Sequence, residues 1–447
     1  MEINERMSKR FAWLLGAAVV LVAIGLLVAC GSSFNASSDG LLVVGSQGSG
    51  LLETFSFNVN NGRVSAIGNP PSSTSGMTCV LNGVPSAIVM DPAGAYAYAI
   101  INASPACNTS NTTSTTGIVS FKVNSDGSLA APGSLVQFNP ETVNVPPNKT
   151  EMFAAVPSTM AIDSAGKFLF VSDRSTADNA QIPNYAPGAV SVFAINNGTV
   201  TEVPGSPFFT SAMPVIASQA VMDLVDVAAT PTSFPSQNAV CSNSPAPTTE
   251  FLYAADGIGN RVWAFSVLPS TGALTLVANQ NNPTAAGTIP GGVAVDPCNR
   301  FAYVSNTQSN NVSGYIICSA VVKPTCPNAD GSLVAISGSP FSLSANGPGP
   351  LKVDAFGKYV YVVDTLSNQL STLQISPVNG ALSVGTAVVS TGNQPRAIAI
   401  RSDDSWLFVT NFNPPSVSQY SITPATGTLA AAPPILTDNY PWGVAVK

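Results

Sequence analysis

The chain repeats one short unit of extended strands, and this repetition limits the folds that are open to it. The clearest copy is residues 290–317, PGGVAVDPCNRFAYVSNTQSNNVSGYII, where three short apolar or alternating runs are separated by polar turn residues. Strands this short cannot bury their apolar faces alone. A unit of this kind therefore needs neighbours of the same kind packed beside it.

The first strand of the unit gives one count of the copies. An apolar strand follows a proline, and a turn begins six positions later. This pair recurs at Pro85 and Asp91, Pro157 and Asp163, Pro290 and Asp296, Pro348 and Asp354, Pro395 and Arg401, and Pro441 and Lys447. A degenerate copy at residues 224–231 keeps only its apolar centre and the closing Thr230-Pro231. The first strand therefore occurs seven times.

The last hairpin of the unit gives an independent count. Its motif is Gly-x-Leu/Val, which places glycine in the turn and an apolar residue at the start of the fourth strand. The glycines are Gly62, Gly127, Gly198, Gly272, Gly331, Gly380 and Gly427. This series also has seven members.

The inner-strand series and the hairpin series do not start and end at the same blade, and a closed ring explains this mismatch. The first hairpin has no inner strand before it, and the last inner strand, residues 442–447, has no hairpin after it. If the C-terminal strand completes the N-terminal blade, no edge is left open between blades. We therefore predict an all-β fold, a single seven-bladed β-propeller with four-stranded antiparallel blades over residues 41–447. The low charged fraction, 9%, and the 36 Gly and 36 Pro fit short strands joined by turns.

Several strand and turn motifs resemble those of the propeller lactonase family. They are Tyr303-Val304-Ser305-Asn306, Phe408-Val409-Thr410-Asn411, the turn from Asp91 to Gly94, and the Gly-Ser-Pro-Phe segments at 205–208 and 338–341. The family includes 6-phosphogluconolactonase-like enzymes and borders on YVTN-repeat surface proteins. The similarity covers nearly all of the mature chain. It implies the propeller fold and, as an activity, lactone hydrolysis, but it carries over no catalytic residue.

The N-terminus has the pattern of an export signal. Basic residues precede an apolar run at 11–29, which ends in Leu27-Val28-Ala29-Cys30. This tetrapeptide resembles a bacterial lipobox, so we expect residues 1–30 to be a signal peptide, Cys30 to be lipidated, and residues 31–40 to be a flexible tether. The alternative is an uncleaved membrane anchor. Either places the rest of the chain outside the cytoplasm, and Gly31 favours the outer membrane or cell surface. Met1 and Met7 both remain candidate starts.

The charge pattern and the absence of histidine exclude several functions. The net charge is −7, and no Lys or Arg cluster follows residue 30, so nucleic-acid binding is disfavoured. Without His there is no Ser-His-Asp or Cys-His arrangement and no His-ligated zinc. We expect no cofactor and no metal, and a monomeric protein.

Six cysteines remain after Cys30, and propeller topology narrows the 15 pairings that six allow. Residues on the same face of the ring can pair. The predicted disulfides are Cys79 with Cys107, Cys241 with Cys298, and Cys318 with Cys326, the expected state in an exported protein.

Candidate ligand residues are those where the seven copies differ at the channel mouth. Directly after the inner-strand proline stand Ser86, Ser158, Gly291, Gly349, Arg396 and Trp442, with Val225 in the degenerate copy and Asp226 next to it. Lys352 interrupts a series of alanines further along the strand and should face the channel. We take Asp226, Lys352 and Arg396 as candidate catalytic residues, and Ser86, Ser158 and Trp442 as candidate ligand-binding residues. The alternatives are a structural Lys352–Asp226 pair and rim packing of Arg396 on Trp442.

The second strands end in Asn102, Asp173, Asp256, Asn306, Asp364 and Asn411, which indicates a shared turn role. Because carboxylates are the general bases left to a chain without His, Asp173, Asp256 and Asp364 are also candidates for activating water or binding a ligand.

Two functions compete at this stage. In the first, a carboxylate activates water to hydrolyse a lactone, and Lys352 or Arg396 stabilises the oxyanion, with a small polar or sugar ligand at the channel mouth. In the second, the chain is a non-catalytic surface propeller that binds a glycan or a partner protein through its loops.

Overall fold

The computed structural model describes residues 39–67, 83–104, 115–145, 149–153, 155–174, 188–210, 224–231, 241, 249–279, 282–319, 326 and 328–447. These residues form strands and turns, and within them no helix is long and apolar enough to cross a membrane. The predicted signal peptide, the lipidation site Cys30, most of the tether, and both Cys79 and Cys107 lie outside the described residues.

Seven antiparallel sheets form the blades, and each begins with its inner strand except the first. Blade 1 contains β1 (Asp39–Ser46), β2 (Leu51–Asn58) and β3 (Val64–Ala66). Blade 2 contains β4 (Val84–Met90), β5 (Tyr96–Asn102), β6 (Gly117–Lys122) and β7 (Val136–Gln137). A separate hairpin follows, β8 (Glu141–Val145) with β9 (Lys149–Phe153). Blade 3 contains β10 (Val156–Ile162), β11 (Phe168–Arg174), β12 (Ala189–Asn196), β13 (Thr199–Glu202) and β14 (Phe208–Phe209).

The second half of the ring repeats this order. Blade 4 contains β15 (Leu224–Ala229), β16 (Glu250–Asp256), β17 (Arg261–Val267), β18 (Leu274–Leu276) and β19 (Thr284–Ala285). Blade 5 contains β20 (Pro290–Val295), β21 (Phe301–Asn306), β22 (Asn311–Ile317), β23 (Leu333–Ala335) and β24 (Phe341–Ser342). Blade 6 contains β25 (Pro348–Val353), β26 (Tyr359–Asp364), β27 (Gln369–Ile375) and β28 (Leu382–Ser390). Blade 7 contains β29 (Asn393–Ile400), β30 (Trp406–Asn413), β31 (Ser416–Thr423) and β32 (Thr428–Leu436).

The C-terminal strand closes the ring as predicted. Strand β33 (Pro441–Val446) pairs antiparallel with β1, and the register sets Leu42 opposite Val446 and Val44 opposite Val444. Blade 1 therefore takes its inner strand from the end of the chain. The predicted seven-bladed all-β propeller is confirmed, including the degenerate inner strand of blade 4.

The core lies between blades because alternate residues of each strand face opposite sides of their sheet. In β21, Ala302 and Val304 pack against blade 4, whereas Tyr303 packs against blade 6. The Tyr303 hydroxyl also donates to the Gly380 carbonyl of blade 6 at 2.9 Å. Every middle strand thus contributes to two apolar interfaces and holds its neighbours on both sides.

The hairpin glycines are required by both backbone conformation and space. All seven glycines of the Gly-x-Leu/Val series have φ between 67° and 81°, a region that glycine adopts at little cost. At Gly380 a Cβ atom would also lie 2.5 Å from the Phe301 ring of the preceding blade. The hairpin glycine, whose motif indicated the number of blades, therefore also packs against the preceding blade.

Two of the three predicted disulfides are confirmed. Cys241 is bonded to Cys298 and Cys318 to Cys326, with Cα–Cα distances of 5.2 and 5.3 Å. The first ties the segment before β16 to the turn after β20, and the second closes the loop after β22.

Candidate active site

Every inner strand carries an irregularity in its register at the mouth end, where the linkers between blades and the loops after the second strands meet. The interruptions lie at Pro85/Ala87, Pro157/Met160, Leu224/Asp226, Pro290/Gly292, Pro348/Leu351 and Pro395/Ile398, and in blade 1 opposite Gly45/Ser46. A bulge leaves a residue unpaired and turns its side chain away from the regular ladder. The positions that the sequence singled out after the inner-strand proline are these bulged residues.

Asp226 follows the bulged residue Val225 of blade 4, pairs with Ala255, and contacts two other inner strands. Its Oδ1 accepts hydrogen bonds from the Thr159 hydroxyl of blade 3 at 2.7 Å and from the Val227 amide at 2.9 Å. Its Oδ2 accepts one from the Val293 amide of blade 5 at 3.0 Å. The carboxylate is thus held in a fixed orientation, and Oδ2 keeps capacity for one more donor.

Lys352 is the cation that acts on this carboxylate. Burial raises the pKa of Asp226 above its ordinary value, and the charge of Lys352, followed by the hydrogen bonds, opposes that rise. Asp226 belongs to β15 of blade 4 and Lys352 to β25 of blade 6, so the interaction joins inner strands two blades apart. Lys352 is exposed, and its side chain has no hydrogen bond or ion pair to another described residue. The charge of Lys352 therefore acts on Asp226, and the lysine side chain has no other partner among the described residues.

Arg396 lies apart from this pair, at the junction of blades 7 and 1. Its guanidinium carbon lies 4.8 Å from the centre of the Trp442 ring and 5.4 Å from that of Phe412. Such cation–π contacts orient the guanidinium without neutralising it. The sequence-based trio of Asp226, Lys352 and Arg396 thus divides into a channel pair and a rim cation stacked on aromatic rings.

Two aromatic residues of this rim were missed from the sequence. Phe412 stacks on Tyr440 with ring centres 4.5 Å apart and meets the Trp442 ring edge-on at 6.4 Å. Phe412 follows the Asn that ends the second strand, and Tyr440 precedes the inner-strand proline. Thr307 and Gln394 occupy the corresponding positions in blades 5 and 7. Comparing the copies at these two positions would have found both rings.

The two predicted serines differ in their bonding. The Ser158 hydroxyl donates to the Val225 carbonyl of the next blade at 3.1 Å, which is a structural contact between bulges. The Ser86 hydroxyl is buried and has no hydrogen-bond partner among the described residues. Only Ser86 therefore offers a free polar atom.

The three carboxylates at the ends of second strands are buried within their blades rather than in the channel. Asp173 accepts a hydrogen bond from Ser191, and Asp364 accepts one from Ser371. Burial raises the pKa of each to about 7. Asp256 accepts hydrogen bonds from the Gly259 amide and the Arg261 side chain. Only Asp256 therefore shows the loop contact expected for a turn role, whereas Asp173 and Asp364 bond to serines of the third strands β12 and β27.

Within the described ranges, no group of three or more acidic or Cys side chains is placed to hold a metal ion.

The fold is a seven-bladed propeller whose inner strands carry Asp226 and Lys352 and whose junction of blades 7 and 1 carries stacked aromatic rings. Residues 216–325 and 332–438 match the family model described as lactonase, 7-bladed beta-propeller. This match confirms the resemblance to the propeller lactonases that the strand and turn motifs predicted.

Solved structures share this fold. A candidate 6-phosphogluconolactonase of Bacteroides uniformis aligns with a TM-score of 0.61 at 20% identity, covering 92% of this chain and 100% of its own. A periplasmic gluconolactonase of Pseudomonas aeruginosa aligns with a TM-score of 0.62 at 18% identity, and the alignment covers 92% of this chain and 99% of that one. At these identities the structures establish the fold alone. A comparison with curated protein sequences gives no match.

Proposed function

We propose that this protein hydrolyses a lactone in its central channel, with Asp226 as the general base and Lys352 as the stabiliser of the oxyanion. The supporting observation is a carboxylate fixed by three hydrogen bonds, whose pKa is raised by burial and lowered by the charge of Lys352, a side chain without another partner among the described residues. The lactonase-type fold points to the same reaction. The substrate class suggested by the neighbours is a sugar lactone.

In this mechanism Asp226 takes a proton from water while the oxygen of that water attacks the lactone carbonyl. The carbonyl oxygen becomes an anion, which the ammonium group of Lys352 stabilises. The ring C–O bond then breaks, and the departing oxygen takes the proton back from Asp226. The product is a hydroxy acid, and no other reactant is consumed.

The test is acid release from glucono-δ-lactone and related lactones, followed in a pH-stat with the purified chain. Lys352→Gln is the informative variant because its side chain has no structural contact to lose, and we expect its kcat to fall by about tenfold to a thousandfold. Asp226→Asn should abolish turnover but also disturb three strands. Lys122→Gln, on the exposed end of β6, serves as the control. Wild-type protein without turnover on any lactone would refute the proposal.

A non-catalytic propeller that binds glycans is the second candidate. The observation that favours it is the aromatic rim of Phe412, Tyr440 and Trp442, since exposed rings are common contacts for sugar faces. Binding of a sugar without turnover of its lactone would favour this function over hydrolysis.

We also propose that the protein is exported and lipid-anchored through Cys30 to the bacterial envelope. The support is the lipobox-like sequence together with the disulfides, which persist in oxidising compartments. Cys30→Ser should release the protein from the membrane fraction into the soluble fraction, measured by fractionation and immunoblot. Retention of the variant in the membrane would contradict lipidation at this residue.

A further inference from the structure

The rim at the junction of blades 7 and 1 holds a cation without a charge partner. Among the described residues Arg396 forms no ion pair, and its Nε atom is buried without an acceptor. An unsatisfied buried donor costs about 1–3 kcal/mol, and more when the group is charged. The rings of Trp442 and Phe412 hold the guanidinium in place but accept none of its hydrogen bonds.

A second unpartnered donor lies on the other side of Trp442. Ser86 occupies the bulge of blade 2, and its hydroxyl is buried without a partner among the described residues. A Cβ atom on Gly443, the residue after Trp442, would lie 3.1 Å from the Ser86 carbonyl, so the two strands are in close contact. Arg396, Trp442 and Ser86 therefore occupy consecutive bulges of blades 7, 1 and 2.

The bulges of blades 7 and 1 are fixed relative to each other by one hydroxyl. The buried Thr410 Oγ1 accepts a hydrogen bond from the Ala397 amide at 3.0 Å and donates to the Trp442 carbonyl at 3.3 Å. Arg396 and Trp442 are thus presented by a backbone that is already ordered. Such preorganisation lowers the entropy cost of binding a ligand.

The aromatic side of the site remains accessible. Tyr440 is 46% exposed, and Phe412 and Trp442 are half-buried. Tyr440 adopts φ of 58°, as Ile289 and Gln394 do before their inner-strand prolines at 54° and 52°, so the repeated linker sets this conformation. Accessible aromatic rings therefore lie next to the Arg396 guanidinium.

We propose that this junction binds a sugar that carries a carboxylate. The carboxylate pairs with the guanidinium of Arg396 and the Ser86 hydroxyl, and the apolar face of the sugar packs on the aromatic rings. A planar carboxylate matches the fork of one guanidinium. A phosphate dianion carries a second negative charge, and no further cation among the described residues of the junction would balance it. The inference deepens the proposed hydrolysis by naming acidic sugar lactones as its substrates, but binding itself does not depend on turnover.

The test is calorimetric titration of the purified chain with glucuronate, with methyl glucoside and glucose 6-phosphate as the uncharged and phosphorylated comparisons. Glucuronate should bind about tenfold or more tightly than either. Arg396→Gln should weaken glucuronate binding by about tenfold to a hundredfold, and Ser86→Ala by a smaller factor. Arg63→Gln, an exposed arginine of blade 1, should bind as the wild type does.

Two further variants keep the test decisive if Arg396→Gln does not fold. Arg396→Lys retains the charge but loses the fork, and should still weaken glucuronate binding. Trp442→Phe should abolish the glucuronate-induced change in tryptophan fluorescence. Equal glucuronate affinity in the wild type and the Arg396 variants, or tighter binding of glucose 6-phosphate, would overturn the inference. If glucuronate binds through Arg396 but no lactone is hydrolysed, the proposed activity fails and this inference stands.

Discussion

At the scale of single residues, the same carboxylate group has three different environments in this ring. Asp226 accepts three hydrogen bonds and faces a cation, Asp256 is paired with Arg261, and Asp364 has a single serine donor. The number of donors and the nearest charge decide which of them is suited to chemistry. Asp364 has an oxygen that is buried without a partner, which makes its ionised form costly.

The first prediction concerns the pH dependence of stability at Asp364. Burial raises its pKa to about 7, so the folded state holds this proton more tightly than the unfolded state does. The stability from that proton is complete below the ordinary pKa of about 4 and is lost as the pH rises through about 7. Asp364→Asn should therefore stabilise the protein at pH 8 by about 1–2 kcal/mol and have little effect near pH 4, measured by urea unfolding.

The ring supplies both a template and a control for this change. Asn306 and Asn411 already occupy the same position in blades 5 and 7 and donate to Ser313 and Ser418. Asp256→Asn is the matched control, because it removes the charge partner of Arg261 and should destabilise by about 1–3 kcal/mol. Equal effects of the two substitutions at pH 8 would contradict this account.

The second prediction concerns the pH profile of Lys352→Gln. The lysine charge lowers the pKa of Asp226, so its removal lets that pKa rise. A general base acts only when deprotonated. The acidic limb of the kcat/KM profile for lactone hydrolysis should therefore move to higher pH in the variant. An unchanged limb, with turnover still present, would show that another group is the base.

At the scale of strands and hairpins, the contact between one blade and the next depends on the second strand. Tyr253, Tyr303 and Tyr361 each donate a hydroxyl to the carbonyl of a hairpin glycine in the following blade. Tyr98 holds the same position in blade 2, but its hydroxyl is buried without a partner among the described residues. The tyrosine hydroxyl is thus hydrogen-bonded to the next blade in blade 5 but buried without a partner among the described residues in blade 2.

The third prediction uses this difference. Tyr303→Phe leaves the Gly380 carbonyl without its donor and should destabilise the fold by about 1 kcal/mol. Tyr98→Phe removes a hydroxyl that is already unsatisfied and should be neutral or stabilising. Urea unfolding of the two variants beside the wild type measures both. Equal losses in both would show that the hydroxyl contact carries no specific stability.

The sequence contained enough to predict the ring, because each blade needs the same turn chemistry. The seven hairpin glycines were visible as a motif, and all have the positive φ that the turn requires. The site was only partly predictable, since its contacts join distant strands. Nothing local to Asp226 indicates that Thr159 and Val293 bind it, and Phe412 reaches Arg396 only because their strands pair.

At the scale of the whole molecule, the ring is closed by hydrogen bonds between β33 and β1, which are not consecutive in the sequence. The Lys447 amide donates to the Leu41 carbonyl at 2.9 Å, as the Asp296 amide does to the Phe301 carbonyl in blade 5. The end of β33 therefore stands in the geometry of an ordinary turn into the second strand of its blade. Val444 and Ala445 also complete the apolar interfaces on either side of blade 1.

The fourth prediction follows from this closure. Deleting residues 441–447 should expose the edge of β1 and both interfaces of blade 1, so the whole ring should lose its cooperative unfolding transition and aggregate. A circular permutant keeps residues 441–447 but joins Lys447 to Asp39 through a linker of about two residues and has its new termini between Leu436 and Thr437. This permutant should show the cooperative unfolding transition that the deletion variant loses. In the permutant every blade is continuous in sequence. The linker forms the turn between β33 and β1 of blade 1, which corresponds to the turn at residues 296–300 between β20 and β21 of blade 5. Thermal unfolding and size-exclusion chromatography of both proteins measure the outcome. A deletion variant that unfolds like the full-length chain would show that the other blades hold the ring without its closing strand.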